Sequence, residues 1–428
     1  MIQTILKDID NSKEEVIAGL EQLIALPSSD LQATNAQTFV EDMLKSLDFD
    51  VHTFKGIHEN VYSLSDYCPL EQPFHEDAYN VVGTYKSNSN HPSLLLFAHI
   101  DTEAEDYFGA FEKPYASYHE DGKIYGLGSS DDKGGIAMML YALHFLKKHI
   151  KEFPYDLTIM SILGKHGGAA GTLSALMHGY SADYGIYLHP AETGHGFAEI
   201  KNISLGVLDL DLEVTGKCGK KHDDLDTGCN ANVLFAHIIT WLEEYNQMMR
   251  SKYVFDFGSF KKEPSFILNI GTIESNNGYG GIAQKASLKL RIRFYKPLTL
   301  EDVYCDVLRF LSLKIKETGL MEQSQLDVKQ GNFRANPAIV ETDHPFVQFV
   351  RKNIKEITGI EEFIHQYHGG SDIRLPILYG NCACIGIGPS CDLPNKNSQQ
   401  QEWISVDDYI TGIKILTKVL YEFNKTSF

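Results

Sequence analysis

Residues 94–102 read LLLFAHIDT, an apolar run that ends in His99 and Asp101. A short continuous run of this kind predicts a strand buried on both faces, the pattern of a parallel strand inside an α/β sheet. Ligands of such sheets gather beyond the carboxyl ends of the strands, where His99 and Asp101 stand. Residues two apart on a strand share a face. The Asp101 carboxylate is therefore expected to reach the His99 imidazole and fix its tautomer, as carboxylates do for metal-binding histidines. The next informative stretch is DGKIYGLGSSDDKGG (121–135). Its glycines permit tight turns, and Asp131 stands just ahead of a long helical pattern that starts near Gly134. Two aspartates there would repel a phosphate, so the stretch is not a phosphate loop.

Outward from this strand, strand-like runs at Asp50–Phe54, Asn80–Tyr85, Leu157–Leu163, Tyr184–Leu188 and Ala383–Gly386 alternate with helical patterns. Ser12, with Glu15 three residues on, reads as the capping box of the first helix. The prediction is an α/β fold, a mostly parallel sheet with helices on both faces. The pattern changes near residue 204. A strand at Leu205–Val214, a helix at Ala231–Met249, strands at Phe266–Ile273 and Ala286–Phe294 and a helix at Leu300–Lys316 follow, closed by a short strand near Gln325–Val328. That βαββαβ order predicts a ferredoxin-like α+β domain inserted into the first. The expected boundaries are 1–203 and 325–428 for the α/β domain and 204–324 for the insertion.

With 428 residues, the chain is long enough for two domains, and its net charge of −19 argues against nucleic acid as a partner. No apolar run approaches the roughly 20 residues of a membrane span, and the N-terminus lacks a secretory pattern. The seven cysteines are scattered, so free thiols in a reducing cytoplasm are expected rather than a disulfide framework. Cys382 and Cys384 read as buried strand thiols.

Taken together, the two motifs resemble the zinc-dependent metallopeptidase family that includes carboxypeptidase G, acetylornithine deacetylase, succinyl-diaminopimelate desuccinylase and aminoacylase. The likeness extends over nearly the whole chain, through KKHDDLDTGCNAN, SFILNIGTIESNNG, HGGSDIR and QEWISVDD. It implies a zinc-exopeptidase-like fold whose insertion serves as a dimerisation or lid domain. It also implies metal-ligand roles for His99 and Asp131, with Asp101 behind His99. Other positions depart from the family. Where the family has a base and then a ligand in a Glu-Glu pair, ILGKHGGAAGT places Lys165 and His166. Where it has a carboxylate before a proline, YLHPAETG places His189. Where it has a last histidine, LPNKNSQQQEW offers Asn397 or Ser398, neither a good zinc ligand.

Two dications need more carboxylates than this set supplies, so a two-metal site is disfavoured. Two alternatives stay open. One divalent cation, zinc by donor type, is held among His99, Asp131, His166 and His189. Otherwise no metal binds and Lys165 pairs with Asp131. On the substrate side, the resemblance implies that His222 reaches a partner subunit's site to stabilise an oxyanion, and that Arg374 holds a substrate carboxylate beside Gly369 and Gly370. A structural ion pair is the other reading of Arg374. The expected activity is amide-bond hydrolysis of small N-acyl amino acids or peptides by a cytoplasmic homodimer with a remodelled site. The alternative is a non-hydrolytic member that binds an amino-acid-like ligand or uses Lys165, His166 and His189 without metal.

Overall fold

Leu94–His99 is a strand, and all six of its residues are buried. It belongs to a computed structural model that describes residues 1–29, 32–70, 73–105, 112–216, 229–255, 263–276, 283–320, 324–391 and 402–426. The strands that carry the fold are β1 (Asp50–Phe54), β2 (Asn80–Tyr85), β3 (Leu94–His99), β4 (Leu157–Ile162), β5 (Tyr184–Leu188), β6 (Glu199–Thr215), β7 (Phe266–Asn276), β8 (Lys285–Phe294), β9 (Gln325–Ala335) and β10 (Ala383–Ile387).

The chain divides into two units. One comprises Met1–Ser204, Ile339–His368 and Asp372–Phe428; the other comprises Leu205–Ala338 and Gly369–Ser371. The second boundary lies past β9 rather than at residue 324. The reason is pairing: β9 runs antiparallel along β6, from Gln325 opposite Thr215 to Ala335 opposite Val207.

In the first unit the sheet order is β1-β2-β4-β3-β5-β10. β4, β3, β5 and β10 are mutually parallel, and β1 and β2 pair antiparallel at one edge. The parallel strands are apolar throughout because helices cover both faces. The helix Lys133–His149 packs so closely that a Cβ on Gly135 would meet the Leu188 carbonyl at 2.2 Å. An earlier helix, Ile2–Asn11, precedes the one predicted at Ser12 and buries Ile5, Leu6 and Ile9. Ser12 forms no side-chain cap; its N–H instead closes the first helix on Asp8 and Ile9. The predicted capping box is therefore absent. In the second unit β7-β8-β6-β9 form an antiparallel sheet. β8 alternates exposed and buried residues almost strictly, as a sheet with one covered face requires.

No helix of the described residues is long and apolar enough to cross a membrane. The thiols of Cys382 and Cys384 are buried, which pushes their pKa up and keeps them protonated.

Candidate active site

β3 delivers His99 to the C-terminal edge of the sheet, where it is buried. Its Nδ1 lies 2.9 Å from the backbone oxygen of Asp101. A carbonyl only accepts, so Nδ1 carries a proton and Nε2 faces the centre. The Asp101 carboxylate does not hold the ring as the sequence suggested. Its Oδ2 accepts the backbone N–H groups of Gly164 and Lys165 at 3.0 Å each, and its Oδ1 stays 3.8 Å from Nδ1. Two backbone donors of the turn after β4 have claimed it. That turn starts at Gly164, whose φ of 100° suits glycine.

Asp131 and Asp132 stand immediately ahead of the helix Lys133–His149 and are buried. His99 Nε2 lies 2.9 Å from Asp131 Oδ1 and 3.1 Å from Asp132 Oδ2. Lys165 reaches across from the turn after β4, its Nζ 2.5 Å from Asp131 Oδ2 and 3.3 Å from Glu103 Oε1. His189, just past β5, brings Nε2 to 3.7 Å from Asp131 Oδ1. One carboxylate thus divides its two oxygens between an ammonium and two imidazoles.

The charges follow from this geometry. Burial alone would lower the His99 pKa, but Asp132 and Asp131 hold it at about 10. Burial would also strip Lys165 of its proton, yet Asp131 and then Glu103 keep its pKa above the ordinary lysine value. Asp131, despite burial, is held well below the usual carboxylate range by Lys165 and then His99. Burial pushes Asp132 well above that range, with His99 opposing and Asp131 adding to the shift.

Glu402, within QEWISVDD, is a further residue of this centre, one to which the sequence assigns no role. It accepts the backbone N–H groups of Gly128, Ser130 and Asp131 at 2.7, 2.9 and 2.8 Å and the Ser130 hydroxyl at 3.0 Å. Burial and then the charge of Asp131 push its pKa up to about 7, against those backbone donors. It fixes the loop that presents Asp131. Glu402→Gln would turn an NH2 group towards one of these donors. It is expected to lower stability by about 1–3 kcal/mol, the cost of an unsatisfied buried group. Denaturant unfolding measures this, and unchanged stability would remove the organising role.

The comparisons settle the family. The model described as peptidase family M20/M25/M40 matches residues 95–422. This chain belongs to that family. Among curated relatives, it is 26% identical over 326 residues to the N-formyl-4-amino-5-aminomethyl-2-methylpyrimidine deformylase of Halalkalibacterium halodurans, covering 72% of this chain and 69% of the relative. It is 25% identical over 380 residues to the succinyl-diaminopimelate desuccinylase of Methylobacterium radiotolerans, covering 86% and 87%. Among solved structures, aminopeptidase PepT from Bacillus cereus shares the fold with a TM-score of 0.73 at 17% identity, over 96% of this chain and 99% of that one.

The M20 resemblance implies divalent metal, and the donors present fit one ion. Ligand atoms of His99, Asp131 and Asp132 all lie within 4.8 Å of one another, and the buried Asp131 Oδ1 forms no aligned hydrogen bond. Asp132 was not foreseen as a candidate ligand; its place beside Asp131 ahead of the helix Lys133–His149 brings it into this group. The other Asp131 oxygen, Oδ2, is the one that Lys165 Nζ approaches.

Of the other expected residues, His222, Asn397 and Ser398 lie outside the described residues, as does the His166 side chain. Gly369 and Gly370 belong to the second unit, Gly370 with a φ of 76°. Arg374, at the start of the short helix Arg374–Tyr379, is 0% exposed. Its Nε lies 3.3 Å from Asp66 Oδ1, and its Nη2 donates to the Gly168 carbonyl at 3.0 Å. Tyr379 donates to Asp66 Oδ2 at 2.7 Å. A substrate carboxylate could reach Arg374 only by displacing these partners.

Proposed function

We propose that this M20 member is an amide-bond hydrolase of the deacylase or carboxypeptidase/dipeptidase type. It acts on small N-acyl amino acids or peptides with at most one divalent cation, zinc by donor type, at His99, Asp131 and Asp132. The observation that supports this is the divided Asp131 carboxylate, one oxygen on the Lys165 ammonium and the other turned to His99. When bound, a cation there would polarise the scissile carbonyl and acidify a water. Lys165 contributes fixed positive charge beside that position, where charge develops on the carbonyl oxygen. Asp101 holds the Lys165 turn, and Glu402 holds the Asp131 loop. A homodimer through the inserted unit goes with this reading, and sedimentation of a stable monomer would remove it.

A second reading also has support. His99 and Lys165 already offset the carboxylates without an ion, as a metal-free member binding an amino-acid-like ligand would need. Metal analysis of chain purified without chelators separates the two. The first predicts no more than about one cation per chain, bound with release of at least about one proton, because His99, and Asp132 with its raised pKa, must give up any proton they carry to ligate. Calorimetry in buffers of different ionisation enthalpy reads that proton. Close to two zinc ions per chain would overturn the first reading. None, even after zinc is added, favours the second.

A further inference from the structure

β1 and β2 form a hairpin whose pairing closes at Phe54 and Asn80, yet residues 55–79 run between those two positions. Connections that long are uncommon in a compact unit and are usually functional. This one reaches the turn that carries Lys165. Its Val61 is buried with Ala169, Leu173, Leu176 and Leu375 in a small apolar cluster apart from the main core. The backbone N–H of His58 donates to the Ser174 hydroxyl at 3.1 Å. Gly167 and Gly168 meet the same connection. A Cβ on the first would lie 2.1 Å from Leu70 Cδ2, and on the second 2.7 Å from Cys68 Sγ.

The turn is held from both ends. Upstream, Asn80 Oδ1 accepts the Leu163 N–H at 2.8 Å, and Asp101 accepts those of Gly164 and Lys165. Downstream, Gly168 and Ala169 both have left-handed φ, 62° and 61°. Ala169 carries a Cβ, so its surroundings must enforce that conformation. The Gly168 carbonyl accepts Arg374 Nη2, and Arg374 is aimed by Asp66, whose second oxygen accepts the Tyr379 hydroxyl. Lys165 stands between the two holds. Its flexible stem keeps Nζ on Asp131 Oδ2 only as far as the backbone beneath it is fixed.

We propose that Asp66 is a positioning residue for Lys165. Acting through Arg374 and the Gly168 carbonyl, it fixes the downstream end of the turn, and the connection 55–79 is the element that carries it there. This role deepens the amide-hydrolase reading, on which the use of Lys165 rests, because it says what keeps that ammonium in place.

The test reads Lys165 itself in the full-length chain. Backbone amides are followed by hydrogen exchange, and the side-chain ammonium by NMR of lysine labelled with 15N at Nζ, assigned through Lys165→Met. The amides of Lys165 and Ala169 are bonded to Asp101 and to the Gly164 carbonyl, and should exchange slowly. In Asp66→Asn both should exchange about 10–100-fold faster, the factor that loss of one charge-assisted hydrogen bond allows in a local opening equilibrium. The Lys165 ammonium signal should change with them, while the amides of β3 stay as they were. A merely structural Asp66 would loosen Ala169 alone and leave both Lys165 signals unmoved, and that result overturns the proposal. Equal acceleration in β3 would report global unfolding and overturn it as well. Should Asp66→Asn fail to fold, Tyr379→Phe removes one donor to Asp66 and keeps the Arg374 pair. It should give the same pattern at several-fold, and unmoved Lys165 signals there also sink the idea. Neither readout needs a substrate. A loosened Lys165 without turnover of any amide by the unmodified chain leaves the positioning role standing and removes the hydrolase reading. Amide turnover with Lys165 unmoved in the variants does the reverse.

Discussion

Dipeptides and N-acetyl amino acids are expected to turn over about 10²–10⁴ times more slowly on this chain than on a relative with a carboxylate base, the usual contribution of a positioned base. The reason is Lys165. The resemblance places a glutamate there as general base, whereas Lys165 is an ammonium held by Asp131 at 2.5 Å and Glu103 at 3.3 Å. Its raised pKa leaves no neutral amine at neutral pH. Lys165→Glu alone should not restore the rate. It would add a carboxylate beside Asp131 and Glu103 and remove their cation, while His189 still faces Lys201. The measurement is steady-state turnover of a substrate panel with added zinc, cobalt or manganese, for both chains. Family-level turnover by the unmodified chain would mean that another group serves as base and that the charge reasoning is wrong.

Arg374→Ala is expected to cost about 3–5 kcal/mol of stability, the range for breaking one side of a buried ion pair. Arg374 and Asp66 are both 0% exposed. Removing the guanidinium leaves the Asp66 carboxylate with the Tyr379 hydroxyl but without its cation, and the Gly168 carbonyl without that donor. Asp66→Asn should cost less, because the amide oxygen still accepts. Denaturant unfolding with a probe in the first unit reads both variants. A substrate-holding Arg374 would behave otherwise, leaving stability within about 0.5 kcal/mol, as surface changes do. Only the affinity of carboxylate ligands would then fall.

The fold was legible because it rests on local signals that tertiary context reinforces. LLLFAHIDT is apolar throughout, and β3 is buried on both faces between β4 and β5. The alternation along Lys285–Phe294 reports a sheet with one covered face. Ser12 misled, because a serine with a glutamate three residues on is a cap only if its own N–H is not already closing a preceding helix. The boundary at 324 misled for a related reason. A strand's membership of a unit is decided by its partner, and the partner of β9 is β6, more than a hundred residues earlier in the chain.

For the site, the sequence by itself determined which residue types are at hand: His99 and Asp131 in place, a lysine where the resemblance puts a base, and a histidine where it puts a carboxylate. Those follow from order along the chain. Only the tertiary structure decided what each group does, because protonation and pairing depend on neighbours within a few ångströms in space. It gave Asp101 to the backbone of the Lys165 turn, set Asp132 beside His99, and drew Glu402 to the Asp131 loop across 271 residues. It buried Arg374 on Asp66 across 308 residues. It also placed Lys201 behind His189, a contact between a buried cation and a ring nitrogen that no spacing in the sequence announces.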